Sequence, residues 1–99
     1  MSKTQEEYSV ITQEEDIIAG TVNKLRDEIV KKLQGNEFNI VLDLSKVKII
    51  DSVGLGALIS CYKALQEFGG TLSVRGVNEE LMELFHVLRP DKYFRIIEE

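Results

Sequence analysis

The residues of this chain whose types and spacing suit chemistry converge on one stretch, Ile49-Ile50-Asp51-Ser52-Val53-Gly54-Leu55-Gly56-Ala57-Leu58. An apolar entry leads to an acid and a hydroxyl, and two glycines follow as a helical pattern begins. Glycine inside a helix costs about 0.5–1 kcal/mol relative to alanine. Two in the first turns therefore imply close approach to this backbone by a neighbouring strand, a partner chain or a phosphoryl donor. Ser52, where the helix begins, is placed near exposed backbone N–H groups and the positive end of the dipole. On residue chemistry alone, the plainest role for Asp51 or Ser52 is to cap that helix.

Other chemistries fit less well. A phosphate loop of the form GxxxxGK[ST] is absent, and no lysine follows Gly56 until Lys63. The nucleophile elbow G-x-S-x-G is not met, and the one histidine, His86, falls within a later helical pattern, where a packed or surface imidazole is commoner than a catalytic base. A single cysteine, Cys61 in ALISCYKAL, forms neither an internal disulfide nor a multi-cysteine metal site and reads as core packing. No catalytic residue, metal ligand or cofactor is assigned.

The elements that must position this stretch follow from periodicity. Tyr8–Thr12 is a short β-prone run after a polar start, residues 1–7, that is expected to fray. Ile18, Val22, Leu25, Ile29 and Leu33 share one helical face, with Lys31 and Lys32 in the last turn and Gly35 as the stop. Phe38–Leu44 suits a central strand, with Asp43 at its exit. Val53–Phe68 is a second helix, apolar at Leu55, Leu58, Ile59, Tyr62 and Leu65 and ended by Gly69-Gly70. A strand at Thr71–Val74 precedes a third helix, capped by Asn78 and running to about Leu88, with Leu81, Met82, Leu84, Phe85 and Leu88 inward. Pro90 blocks its continuation, and Phe94–Ile97 forms a last short strand. Strands alternating with helices imply an α/β domain with right-handed crossovers and a mainly parallel sheet. Ile18, Val22, Leu25, Ile29, Val41, Leu58, Tyr62 and Phe85 are expected in its core.

Composition bounds the class of function. Ninety-nine residues, 43% hydrophobic and 29% charged, suit one folded domain, 1–99. A net charge of −5 with scattered basic residues argues against direct binding to nucleic acid or anionic membrane surfaces, and for a protein or small-molecule partner. No apolar run approaches the roughly 18–20 residues that cross a bilayer, and MSKTQEEYSV lacks the features of a signal peptide. A cytoplasmic location without membrane insertion is the expectation.

The segment I-I-D-S-V-G-L-G-A-L resembles the signature D-S-[STV]-G-L-G of the sulfate-transporter and anti-sigma-antagonist (STAS) family, in its stand-alone bacterial form. The likeness continues through Lys63 and Phe68-Gly69-Gly70 into TLSVRGVNEELMELFHVLRPDKYFRI, and so covers about residues 20–97. It implies a small mixed, mainly parallel sheet with helices packed on one side. It implies a protein that is not an enzyme but an anti-sigma factor antagonist, a monomer whose partners are an anti-sigma factor serine kinase and a PP2C-type phosphatase. Carried over position by position, Ser52 is the phosphorylated residue, and Asp51, Ser52, Val53, Gly54, Leu55 and Gly56 are the partner-binding surface. The rival readings are a regulatory subunit of the same fold without phosphorylation and a nucleotide-binding domain.

The chain departs from the family pattern before the first helix. Where antagonists carry G-E-[LI]-D, this chain has Gln13-Glu14-Glu15-Asp16. Alignment on Leu25-Arg26 puts the family's aspartate at Ile18, and Asp16 takes that part only if the intervening loop is longer. The family's first strand is expected to be shortened or absent. Val53 stands where a second hydroxyl often follows the phosphoacceptor.

Overall fold

The computed structural model describes residues 8–89 and 94–97. Seven elements alternate along them: β1 (Ser9–Thr12), α1 (Val22–Gln34), β2 (Asn39–Asp43), α2 (Ser52–Glu67), β3 (Thr71–Arg75), α3 (Glu79–Leu88) and β4 (Arg95–Ile97). The four described strands form one sheet in the order β1-β2-β3-β4, with every pair parallel. Each connection steps to the next strand in the same direction, so crossovers of one hand place all three helices on one face. The antiparallel component expected of a mixed sheet is not among the described strands.

Alternation along the strands builds the core. Ile40 and Leu42 on β2 stand in register with Leu72 and Val74 on β3, and Ile11 and Ile96 extend the row to the edges. The helices cover it with Val22, Leu25 and Ile29 from α1, Ala57, Leu58, Cys61 and Leu65 from α2, and Leu81 and Phe85 from α3. Phe85 meets Phe94 edge-on, ring centroids 6.3 Å apart, tying α3 to the entry of β4.

The expected core holds with three adjustments, the first being Leu88, expected inward at the end of α3 but 49% exposed there. Val22, Leu25, Ile29, Val41, Leu58 and Phe85 are buried, but Tyr62 is only partly so. Ile18 is half-buried and lies before α1, because Thr21 Oγ1 accepts from the Ile18 N–H and a turn forms there instead of a helical start. Its neighbour Ile17 is fully buried in its place. The first helix ends at Gly35 as expected, although the left-handed residue is Asn36, at φ 60°. Gly69, at φ 75°, ends α2, with the Gly70 N–H reaching back to the Leu65 carbonyl. Asn78 caps α3 by accepting from the Leu81 N–H at 2.8 Å, and Arg89 closes it in a left-handed conformation. Pro90 lies outside the described residues, as do residues 1–7, where fraying and a shortened first strand were expected.

Candidate functional site

Two loops meet beyond the C-terminal ends of the strands, 13–21 leading to α1 and 44–51 leading to α2. Ile17 bridges to Ile50 in parallel fashion, its N–H donating to the Ile49 carbonyl at 3.0 Å and its carbonyl accepting from Asp51 N–H at 3.2 Å. A carboxylate from each loop then fastens the other. Asp16 Oδ1 accepts from the N–H groups of Lys48, at 2.8 Å, and Ile49, at 3.1 Å. Asp51 Oδ2 accepts from the Ala19 N–H at 3.1 Å, while its Oδ1 accepts from the Gly54 N–H at 2.7 Å. Backbone donors that the turns leave without partners are satisfied by this exchange.

The cap of α2 is therefore Asp51, and Ser52 is released from that duty. The place of Asp16 also follows: its carboxylate grips the segment that leads to Ser52, whereas Ile18 supplies no charge. Asn78 joins the assembly from α3 by donating to the Val47 carbonyl at 3.2 Å.

The two glycines have different surroundings. A Cβ on Gly54 would lie 1.9 Å from the Ile17 carbonyl oxygen, so the close approach is to the chain's own loop and only glycine permits it. A Cβ on Gly56 would meet nothing within 4 Å, and the residue is exposed. The structure thus accounts internally for the first glycine and leaves the second open to the outside.

Ser52 is the first residue of α2 and is exposed, and its hydroxyl makes no hydrogen bond among the described residues. The N–H groups of Ser52 and Val53 likewise have no acceptor among those residues, as expected of a first helical turn. On either side of Ser52 in the chain two large apolar side chains are exposed, Ile49 at 56% and Val53 at 48%. Gly56 lies four residues on, along the same side of the helix. Leu55 is half-buried against the core and contributes less to this surface.

In the sequence Ile49 reads only as part of the apolar entry, not as partner-binding surface. Its neighbours Val47 and Ile50 are buried, at spacing three, and they leave Ile49 pointing out of an otherwise apolar run. Only the bridge to Ile17 sets that choice.

Among the described residues, the remaining polar groups do not build a reactive centre around Ser52. His86 lies about two turns along α3 from its cap and is exposed. Burial pushes the Cys61 thiol above its ordinary pKa, which keeps it protonated and weakly nucleophilic. Asp43, at the exit of β2, is held below the usual carboxylate range, first by the Ser45 N–H and hydroxyl and then by Arg75 at 3.4 Å. Among the described residues no group of three His, Cys, Asp or Glu side chains is placed to hold a metal ion. No described helix is long and apolar enough to cross a membrane.

Known proteins share this fold. The anti-sigma-B factor antagonist of Staphylococcus epidermidis is 31% identical over 67 residues, covering 68% of this chain, and the chain spans 62% of that relative's length. A Thermotoga maritima protein crystallised as a candidate anti-sigma factor antagonist superposes with a TM-score of 0.83 at 19% identity, over 98% of this chain and 83% of that one. The Bacillus cell fate determinant SpoIIAA in its phosphorylated form gives a TM-score of 0.70 at 16% identity, over 99% of this chain and 87% of that one. At such identities the two structures speak for the fold. The sequence profile of the STAS domain matches residues 1–99, and the chain belongs to the STAS domain family.

Proposed function

We propose that this chain is a phosphorylation-controlled protein-binding switch, an anti-sigma factor antagonist whose acceptor is Ser52. The observation that carries this reading is the exposed, unpartnered Ser52 hydroxyl at the start of α2, held there by a cap that belongs to its neighbour Asp51. A serine needed for capping would be engaged, and this one is not. The relative from Staphylococcus epidermidis bears the name of an antagonist, and the structure of a protein of the same fold is known in a phosphorylated form.

In this reading the unphosphorylated protein sequesters an anti-sigma factor serine kinase and so frees a sigma factor. The partner lies against Ile49, Val53 and the bare backbone at Gly56, where the absent side chain lets another chain come close. The kinase supplies ATP, Mg²⁺ and the base, and Ser52 is the substrate. A PP2C-type phosphatase resets the switch.

Phosphoserine adds about −1.5 to −2 charges. The open N–H groups of Ser52 and Val53 and the helix dipole favour charge at this end by roughly 0.3–1 kcal/mol, so the fold survives modification. Against an apolar partner surface the same charge is costly. Burying it unpaired costs about 2–5 kcal/mol, a roughly 30- to 4,000-fold loss of affinity, which releases the kinase.

The test uses the cognate kinase and ATP. Wild type gains one phosphate, on Ser52, and Ser52→Ala gains none while still binding the kinase. Ser52→Asp, with a single added charge, binds more weakly than wild type. Authentically phosphorylated protein that binds the kinase as tightly as the unmodified form would overturn the switch.

A further inference from the structure

The segment that delivers Ser52 leaves the sheet at Leu44, whose N–H still donates to the Arg75 carbonyl, and pairs again only where Ile50 bridges to Ile17. Its own backbone does little to close the bend between. One internal backbone bond joins the Val47 N–H to the Leu44 carbonyl, and for the next two N–H groups, of Lys48 and Ile49, the only acceptor among the described residues is Asp16 Oδ1, at 2.8 Å and 3.1 Å. A single oxygen thus fixes two consecutive peptide groups just ahead of the phosphoacceptor. Asn78 adds a hold from the start of α3, its Nδ2 donating to the Val47 carbonyl at 3.2 Å.

Asp16 is half-buried, and its side chain forms no ion pair among the described residues. What it supplies here is an oxygen in a fixed place, and an amide oxygen accepts in the same geometry without the charge. Both bonds lie at the surface, where water can replace a lost acceptor, so removal of Asp16 frees the loop more than it unfolds the domain. A freed loop matters to the chemistry. In phosphoryl transfer the Ser52 Oγ–P bond forms as the bond from the γ-phosphorus to the ADP oxygen breaks, with the hydroxyl proton passing to the kinase's base, and the two oxygens must stand roughly in line. A misplacement of about 1 Å costs such a reaction about a hundredfold.

We propose that Asp16 is a positioning residue for phosphoryl transfer to Ser52, acting through the Lys48 and Ile49 amides and not by contact with the kinase. This role rests on the reading of Ser52 as the phosphoacceptor of the switch.

Phosphorylation kinetics with the cognate kinase and ATP separate an oxygen held in place from a charge. Asp16→Asn keeps an acceptor oxygen at the same reach, whereas Asp16→Glu keeps the charge and moves it by about 1.5 Å, one carbon–carbon bond. Asp16→Asn should retain kcat within about threefold, while Asp16→Glu and Asp16→Ala should each lose about tenfold or more in kcat, with KM changed by less than about threefold. Amide hydrogen exchange at Lys48 and Ile49 should quicken in the two slow variants and not in Asp16→Asn, a readout that needs no kinase. Glu14→Gln, which breaks the exposed pair to Lys46 between the same two loops, should leave kcat unchanged. The reverse order, with Asp16→Glu fast and Asp16→Asn slow, would assign the carboxylate to a charge contact with the kinase and overturn the proposal. So would a loss confined to KM. Asp16→Glu and Asp16→Asn carry the comparison even where Asp16→Ala does not fold. Wild type that takes no phosphate on Ser52 overturns the switch and the positioning role together, whereas phosphorylated wild type with an equally fast Asp16→Glu and Asp16→Asn overturns the positioning role alone.

Discussion

The two ends of α2 are closed by the same device and put to different use. Gly54, in the first turn, lies against the Ile17 carbonyl, and Gly70, just past the last turn, lies against the Phe38 carbonyl; a Cβ would come within 1.9 Å and 2.0 Å of these oxygens. Across the roughly 24 Å of helix between them, the backbone is thus pinned at both ends to the strand-entry and strand-exit loops. Beyond that the ends diverge. At the C-terminal end the carbonyls are taken up by Gly69 and Gly70, and Phe68 stacks on Phe38 with ring centroids 5.3 Å apart. At the N-terminal end the cap is complete without Ser52, so a hydroxyl and two N–H groups are left facing outward. A rigidly held helix end with unused polar groups suits a residue that must be presented to another protein, whereas the opposite end is consumed by structure.

The largest expected effects probe the shared device. Gly54→Ala and Gly70→Ala should each cost about 3 kcal/mol or more, since a backbone carbonyl cannot move aside as a side chain can. Urea unfolding measures both. Tolerance of alanine at either position would show that the end concerned is not pinned.

Smaller effects separate neighbours at the N-terminal end. Asp51→Ala removes the cap and the tie to Ala19, with an expected loss of about 1–2 kcal/mol. Ser52→Ala should change stability by no more than about 0.5 kcal/mol, because the hydroxyl it deletes makes no hydrogen bond among the described residues. Equal losses in the same unfolding experiment would return Ser52 to a structural role.

Gly56→Ala carries the smallest and most diagnostic change. With open space around the new methyl group, the helix should gain about 0.5–1 kcal/mol while binding of the kinase weakens. A variant that gains stability and keeps full affinity would mean that no partner approaches this face.

Much of this was legible in the chain itself. The strand and helix boundaries follow periodicity to within a few residues, because apolar spacing of two or of three and four records which face each element buries. The acid-hydroxyl-glycine stretch stood out for its glycines, and Asn78 was readable as a cap from its type and position. Less visible was the start of α1, where Ile18 fits the helical spacing. A Thr21 hydroxyl bonded within the turn cannot be distinguished in sequence from an ordinary cap.

Sequence by itself determined that a short α/β domain presents Ser52 at the beginning of a helix, since local periodicity and residue type are enough for that. Tertiary structure alone decided which of Asp51 and Ser52 would cap, which glycine is filled by the chain's own backbone, and that Ile49 rather than Ile50 would face outward. Each choice depends on loop 13–21 crossing against loop 44–51, about thirty residues away in sequence. A hydrogen bond at that separation leaves no periodic trace, because its partners are matched by the path of the chain and not by their spacing along it.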